Sequence, residues 1–292
     1  MTQEPVTDNN KRRSQFYFVR TRFMRNKLAV IGLVFFILVV IITVSADLFM
    51  DYQDVLRQNI SVRLQKPSTR HIFGTDIYGR DLFGRMVFGA RYSLGIGLAV
   101  TVISLIAGVI LGAISGYFGG IIGEVIMRIM DIFYSMPSAL LAIAIVAALG
   151  QTIPNLLLAM SVSRIAQFSR VVRSVVLPIR SQEFIEAAKA AGAGNAYIIR
   201  TQILPNAIGP IIVQATLGIS VVILGIAGLG FLGLGVAPPT PEWGSILSDV
   251  RVQVRNHPYL AIIPGITICM CAMALNLIGD GLRDALDPKL KN

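Results

Sequence analysis

Very few side chains of this 292-residue chain could act as catalytic groups or metal ligands. The two histidines, His71 and His257, lie far apart and belong to no His-Glu-x-x-His motif, so a histidine metal site is not predicted. No Gly-Lys dipeptide occurs, which excludes the phosphate-binding loop of P-loop ATPases. Asp131 and Asp280 are the only carboxylate pair available to an intramembrane protease, and each lies at a predicted helix end beside an arginine. The sequence therefore predicts a chain that is not an enzyme and binds no cofactor or metal of its own.

A different kind of chemistry, recognition of another protein, is indicated between residues 181 and 205. Residues 181–191 predict a short helix, which Gly192 and Gly194 end because glycine adopts left-handed conformations at little cost. Residues 195–203 predict a second short helix, and Pro205 is acceptable in the first turn of the helix that follows. Residues at spacings of three and four share one face of the first helix. They are Phe184, Ala187, Ala188 and Ala191.

Small side chains on this face would let another surface approach the helix backbone closely. The segment is basic and lies between two long apolar runs, which favours a cytoplasmic docking loop gripped by a soluble partner. The alternative is an amphipathic helix that rests on the membrane surface. In either case the loop must be positioned by the helices on its two sides.

Those helices are predicted to cross a membrane. Hydrophobic residues make up 54% of the chain and charged residues only 14%, which is far from the composition of a soluble domain. Residues 28–46 carry no charge and would form a helix of about 28 Å, close to the ~30 Å hydrocarbon core of a bilayer. Five further spans are predicted, although charges intrude in the second and third of them. They are 92–115, 121–149, 155–169, 206–236 and 259–279. The predicted fold class is an all-α polytopic membrane protein with six spans.

The distribution of lysine and arginine predicts the orientation. The tail 1–27 is strongly basic, so the N-terminus is expected in the cytoplasm, followed by a first transmembrane helix in 28–50 and an outer segment 51–91. Basic residues between 70 and 91 count against this orientation. Six spans would return the tail 281–292 to the cytoplasm and place the loop 171–205 of the five-helix core 92–280 on the same side. The net charge of +10 is interpreted as topology and contact with anionic lipids, not as nucleic-acid binding.

One alternative concerns the first apolar run. Val44, Ser45 and Ala46 could form the small-residue cleavage site of a signal peptide, although the preceding tail and apolar run are longer than such peptides usually have. Removal of this segment would leave five spans and an outer N-terminus.

A whole-length resemblance narrows the function. The pattern Glu186-Ala187-Ala188, Gly192 and then Gln202-Ile203-Leu204-Pro205 resembles the signature loop of permease subunits of ATP-binding-cassette importers. The chain is similar, more narrowly, to the second permease of bacterial dipeptide and oligopeptide importers. Further matching stretches are Phe73-Gly74-Thr75-Asp76, Gly79-Arg80-Asp81, Gly116-Tyr117-Phe118-Gly119-Gly120, Met127-Arg128 with Asp131, Gly230-Phe231-Leu232-Gly233-Leu234-Gly235, Pro238-Pro239-Thr240-Pro241-Glu242-Trp243-Gly244, and the segment from Gly279 to Pro288.

The resemblance implies the type I permease fold of these importers and a coupling helix that docks into a groove of a cytoplasmic ATPase subunit. The residues it implies for this coupling are Glu183, Glu186, Ala187, Ala188, Gly192, Leu204 and Pro205. Gln202 is a departure, because relatives often have histidine there. The implied partners are a second homologous permease, one or two ATPases that use the ATP, an extracytoplasmic substrate-binding protein and membrane lipids. The implied location is the bacterial cytoplasmic membrane.

Two further sets of residues are weaker candidates. The polar residues Gln167, Gln214 and Asn276 are possible residues of the transport pathway, but each could equally bond a neighbouring helix. Possible contacts with the binding protein are Asp76, Arg80, Asp81 and Trp243. The alternatives for these four are that the charged groups pair and cap turns, and that Trp243 anchors the chain at the membrane interface.

Two rival classes and several substrates stay open. An ion-coupled secondary transporter would use broken helices in repeated halves, and no internal repeat is evident in the sequence. A membrane anchor or sensor would need no docking loop. Within the importer class peptides are the preferred substrate, with glutathione, nickel chelates and opines as alternatives.

Overall fold

The protein is built almost entirely from helices, as predicted. A computed structural model describes residues 15–286, and within this range the only β-structure is an isolated bridge between Thr75 and Asp81. The last two residues of the matching segment Gly279 to Pro288, the rest of the C-terminal tail and the first part of the N-terminal tail lie outside the described residues. The α-helices are α1 (Gln15–Arg25), α2 (Lys27–Val44), α3 (Tyr52–Leu56), α4 (Leu82–Phe118), α5 (Gly120–Ser135), α6 (Ser138–Leu149), α7 (Ile153–Arg180), α8 (Glu183–Ala190), α9 (Asn195–Ile198), α10 (Leu204–Phe231), α11 (Trp243–Val250) and α12 (Tyr259–Leu286).

The number of predicted spans is wrong. Among the described residues four helical stretches are long and apolar enough to cross a membrane, or five if one bent pair is a single span. The four are Lys27–Leu48, Leu82–Phe118, Asn195–Phe231 and Tyr259–Leu286. Helix α7, which contains the predicted span 155–169, is not among them, and arginines and serines recur along it from Ser161 to Arg180.

The predicted third span, 121–149, is a broken one. Helices α5 and α6 meet at an angle of 85° at a break around Met136 and Pro137. A residue before proline avoids the helical conformation, and Met136 is extended with φ −87° and ψ 136°. Proline therefore divides this run into an amphipathic helix and a short apolar helix.

Helix α7 packs lengthwise against α4, and both helices run in the same direction. Gly108, Gly112 and Gly116 form a stripe at four-residue spacing on α4, facing the part of α7 from Phe168 to Val176. A Cβ atom added at Gly112 would lie 2.6 Å from the carbonyl oxygen of Ser169. Small residues at such spacing let two membrane helices approach closely. The resulting van der Waals packing stabilises the pair, because the hydrophobic effect does not drive helices together in lipid.

The bundle has two distinct ends. We define the loop end as the end that carries residues 181–203, and the far end as the end that carries residues 45–81 and 232–258. At the loop end, Arg180 is the last residue of α7. Its Nη1 donates to the carbonyl oxygens of Gly116 and Tyr117 at 3.3 and 3.1 Å. Asn26, just before α2, donates there to Asp284 of α12 at 3.3 Å. Both described ends of the chain therefore lie at the loop end.

Helix α4 begins ten residues earlier than the predicted span 92–115, at the far end. The Asp81 carboxylate caps it by accepting from Gly84 N at 2.8 Å. Arg85 lies in the first turns and is neutralised by Asp76 at 3.0 Å and by Asp249 of α11 at 3.2 Å. Because Asp249 is distant in sequence, the local charge pattern does not predict that it neutralises Arg85.

The same carboxylates bind a second arginine, Arg80, at 2.7 Å for Asp76 and 2.9 Å for Asp249. The side chains of Asp76, Arg80 and Arg85 are 2%, 3% and 3% exposed, so the ion cluster is buried. Burial raises the pKa of Asp249, while Arg80 opposes the shift. The cluster ties the segment before α4 to α11 and closes the far end.

Replacement of Asp76 by alanine should destabilise the far end strongly. It would leave two buried arginines with one carboxylate, and breaking such a cluster costs about 3–5 kcal/mol. The matched control is Asp47→Ala. It removes the carboxylate that pairs with Arg91, and because this carboxylate is 63% exposed, the loss should cost less than about 1 kcal/mol. Thermal unfolding in detergent can follow Trp243, the only tryptophan, which is buried at this end. Equal melting temperatures for the two variants would contradict the structural role of the cluster.

Candidate functional site

The loop 181–203 is folded onto the ends of the long helices, and the two predicted short helices are present. They are α8 and α9, and a π-helical stretch Ile199–Ile203 joins α9 to α10. Three isoleucines at positions 185, 198 and 203 are fully buried and pack in one cluster with Tyr117 and Val176. Burial of these side chains, each worth about 1.5–3 kcal/mol, fixes the loop on the bundle.

Two polar contacts complete this attachment. The Tyr117 hydroxyl donates to Asn195 Oδ1 at 2.8 Å and so links the end of α4 to the start of α9. The Arg180 bonds described above link the ends of α4 and α7. These anchors were not predicted as functional residues, although Tyr117 belongs to the Gly-Tyr-Phe-Gly-Gly stretch that the resemblance singled out.

The opposite side of α8 is exposed. Glu183, Glu186 and Ala187 are exposed, whereas Ala188 is partly buried against the isoleucine cluster. Phe184 adds an aromatic ring that is 42% exposed. Among the described residues the two carboxylates form no hydrogen bond or ion pair. The outer surface of the loop is thus a small patch of two free carboxylates, one ring and small side chains.

Gly192 ends α8 in a left-handed conformation, with φ +79°. The following residue, Ala193, donates its N–H to Ala188 O at 3.0 Å, so the turn satisfies a carbonyl at the end of α8. A Cβ atom at Gly192 would meet nothing within 4 Å, so backbone conformation and not space requires glycine there. Leu204 is partly buried and Pro205 is exposed at the start of α10, where proline is tolerated.

A cavity of about 820 Å³ lies between the broken pair α5–α6 and the helices α7 and α10. Its walls are mostly apolar, and its polar side chains on α7 are Ser163, Arg164 and Gln167. Tyr134 and Leu232, at two places on its rim, are 50% and 56% exposed, so the cavity opens at the surface of the chain.

The three predicted pathway residues have different positions. Gln167 lines the cavity, whereas Gln214 and Asn276 do not. Asn276 Oδ1 accepts from the Ser220 hydroxyl at 2.6 Å and so joins α12 to α10, which is the alternative role considered for it. Arg164 lies within the predicted span 155–169, and the longer α7 carries it on the cavity wall.

Three of the four residues predicted to contact a binding protein are buried. Asp76, Arg80 and Trp243 are 1%, 3% and 1% exposed, because the first two belong to the buried ion cluster and Trp243 donates its Nε1–H to Met86 O at 3.0 Å. Asp81 caps α4 and contacts His71 Nδ1 at 2.9 Å. The charged residues are thus engaged in pairing and capping, and Trp243 is buried against Met86 and not exposed at a surface.

Glu242 is a feature of this region that the sequence did not single out as a site. Its carboxylate is fully buried, caps α11 through Gly244 N and Ser245 N at 2.9 Å each, and accepts from the Ser93 hydroxyl at 2.9 Å. Burial raises the pKa of Glu242, while these three hydrogen bonds oppose the shift. The residue joins α4 to α11 at the far end of the bundle.

The described residues contain no group of three or more histidine, cysteine, aspartate or glutamate side chains that could hold a metal ion. The fold thus presents an exposed patch on the loop at one end and an open, mostly apolar cavity within the bundle. These features define a helical membrane subunit of a transport system.

The family is shown by two matching models. Residues 108–292 match the family described as binding-protein-dependent transport system inner membrane component, and residues 14–67 match the N-terminal TM domain of oligopeptide transport permease C. The chain belongs to this family of inner-membrane transport components. It is therefore a permease component, a class whose members are non-enzymatic membrane subunits.

Curated relatives agree with this assignment along the whole chain. A dipeptide transport system permease of Alkalihalophilus pseudofirmus is 49% identical over 92% of this chain and 88% of its own length. A di/tripeptide permease of Pseudomonas aeruginosa is 44% identical over 92% and 91%. A glutathione transport permease of Escherichia coli is 38% identical over 98% and 95%.

Solved structures share the fold. A chain of the MetNI methionine ABC transporter in an inward-facing conformation has a TM-score of 0.58 at 18% identity, covering 70% of this chain and 96% of that chain. A second crystal form of the same transporter has a TM-score of 0.53. The predicted type I permease fold is thereby confirmed.

Removal of the Tyr117 hydroxyl should loosen the loop without unfolding the bundle. Tyr117→Phe deletes the bond to Asn195, a loss of about 1 kcal/mol, which corresponds to roughly fivefold faster local opening. Hydrogen exchange of amides 181–203 measures this opening. Tyr197→Phe is the control, because that ring is 59% exposed. Equal exchange in the two variants would show that the isoleucine cluster alone holds the loop.

Proposed function

We propose that this chain is the permease subunit of an ATP-driven importer of di- and oligopeptides, and that it couples to cytoplasmic ATPases through residues 183–205. The observation that carries this proposal is the exposed patch of α8 on a loop rigidly attached to α4 and α7. Peptides are the preferred substrate because the relatives of 49% and 44% identity are named as dipeptide and di/tripeptide permeases. Glutathione is the alternative, from the relative of 38% identity.

The loop end is proposed to face the cytoplasm, together with both termini. Support comes from the contact between Asn26 and Asp284, which brings the two ends of the described chain to this end whatever the number of spans. The basic residues at the far end that opposed this orientation are largely compensated. Arg80 and Arg85 pair with buried carboxylates, and Arg91 pairs with Asp47 at 2.7 Å.

The proposed coupling follows from the construction of the loop. Glu183 and Glu186 have free carboxylates that a groove of an ATPase subunit can bind by charge-assisted hydrogen bonds, and Ala187 lets that groove approach the backbone. Movement of the docked loop is carried to α4 and α7, because Tyr117 ties the loop to α4 and Arg180 ties the end of α7 to the end of α4. Rigid-body motion of these helices changes access to the cavity.

A second permease is proposed to cover the open side of the cavity. Apolar side chains remain exposed along α5 beside it, including Ile122, Ile129 and Ile132 at 53%, 48% and 63%. One chain supplies only one wall of a passage, so the pathway requires a partner. An extracytoplasmic binding protein would deliver the peptide at the far end.

The proposed coupling role of the loop can be tested with two matched glycine variants. Gly192→Val places a β-branched residue at φ +79°, which it adopts only with strain, whereas Gly194→Val places the same residue at φ −70° and ψ 152°. A Cβ atom at either site meets nothing within 4 Å. We expect import by the reconstituted complex to fall at least about tenfold for Gly192→Val, at a strain of ~1–3 kcal/mol, and to stay near wild type for Gly194→Val. Import at the wild-type rate by the Gly192 variant would contradict the proposed coupling role of the loop.

The proposed pathway role of the cavity requires that filling it stops passage. Gly228 lines the cavity, and a Cβ atom there meets nothing within 4 Å. Gly228→Trp should therefore abolish peptide import while the ATPase subunits still co-purify. Gly95→Trp is the control, because Gly95 has equally open space but lies on α4 outside the cavity. Full import by the Gly228 variant would place the passage elsewhere.

A further inference from the structure

Arg164 is held at the middle of the bundle, on the wall of the cavity. Its Nη2 donates to the carbonyl oxygen of Gly218 at 3.3 Å, and Gly218 lies halfway along α10. Along α7, Arg164 follows Ile153 by about 16 Å and precedes Arg180 by about 24 Å, at ~1.5 Å per residue. Arg164 is therefore far from both ends of α7, and its acceptor Gly218 is far from both ends of α10.

This cation has no anionic partner within the part of the chain that the structure describes. None of the ion pairs between described residues contains Arg164. Its other hydrogen bond is from Nη1 to Gln167 Oε1 at 2.5 Å. An arginine has five N–H donors, so two neutral acceptors leave both capacity and charge unsatisfied. A charge at such depth is costly and marks a functional position when it faces a cavity.

The surroundings of Arg164 fit a small organic anion. The cavity of about 820 Å³ is within the ~300–1,000 Å³ range of ligand pockets, and its lining residues include no aspartate or glutamate. Ser163 also lines it, and its Oγ has no hydrogen-bond partner among the described residues. The site thus combines apolar walls with one oriented fork of donors.

We propose that Arg164, oriented by Gln167 and Gly218, binds the terminal carboxylate of the peptide as it passes through the cavity. This inference rests on the proposed peptide-import function. Peptides of different sequence share only their backbone and their termini, and of these the C-terminal carboxylate matches the planar guanidinium fork. A single fixed cation among apolar walls can therefore contact every free peptide, and the walls accept any side chain.

The existing bonds of Arg164 also limit its affinity for the anion. Gln167 and Gly218 occupy part of the fork, so the carboxylate gains a partial contact that it can leave again. Passage through a membrane protein requires such weak binding, because a site that holds its substrate tightly stops transport. Arg164 is in this sense a specificity residue of the pathway and not a storage site.

The test pairs a change of the residue with a change of the substrate. Proteoliposomes would contain the complete importer, with the binding protein saturated either by a dipeptide or by the same dipeptide as its C-terminal amide. For Arg164→Gln we expect import of the free acid to fall about tenfold and import of the amide to change less than about twofold, because the amide has no carboxylate to lose. Arg164→Lys, which keeps the charge without the fork, should lie between. Stimulated ATP hydrolysis should stay near wild type.

Arg173→Gln is the matched control, since it removes the same charge from the same helix outside the cavity. Equal losses for acid and amide in Arg164→Gln would overturn the inference while leaving the import function intact. The test is repeated in vesicles of phosphatidylglycerol and of phosphatidylcholine. A loss of import in Arg164→Gln that differs between the two lipids, but not between the acid and the amide, would also overturn the inference. It would indicate that Arg164 binds a lipid headgroup. Failure of the wild-type complex to import either peptide would reject the import function and the inference together.

Discussion

The close contact between α4 and α7 is the interaction on which the rest of the structure depends. In a membrane the hydrophobic effect does not drive helices together, so their association relies on packing and on hydrogen bonds. The glycine stripe of α4 brings atoms of α7 within 2.6 to 3.0 Å of the position that a Cβ atom would occupy at Gly112. Arg180 then ties the two helix ends together, and the loop is built on that joint end.

The same pair of helices connects the loop to the cavity. Helix α7 carries Arg164 on the cavity wall and ends at Arg180 beside the loop, about 24 Å further along at ~1.5 Å per residue. Under the proposed coupling, a displacement of the loop is carried along α7 to the cavity wall. Part of the polar character of α7 follows from its place in the bundle, where Ser161 and Ser169 are buried and Arg164 donates to Gly218 of α10.

The sequence predicted local features well and distant compensation poorly. The two short helices of the loop and the turn at Gly192 were predictable because small residues, glycine and proline act through local backbone preferences. The early start of α4, the burial of Asp76 and the position of Trp243 were not. Each depends on a partner that is distant in sequence, such as Asp249 for Arg85 or Met86 for Trp243. Local sequence patterns do not predict such partners.

The central claim is that the loop patch binds ATPase subunits and that the chain imports peptides with their help. Affinity purification of the tagged chain in mild detergent, with identification of what co-purifies and an assay of ATP hydrolysis, tests it most directly. The account predicts a second permease and one or two ATPases in the complex, with hydrolysis stimulated by a peptide-loaded binding protein. A chain that purifies without an ATPase and whose uptake follows an ion gradient would contradict it.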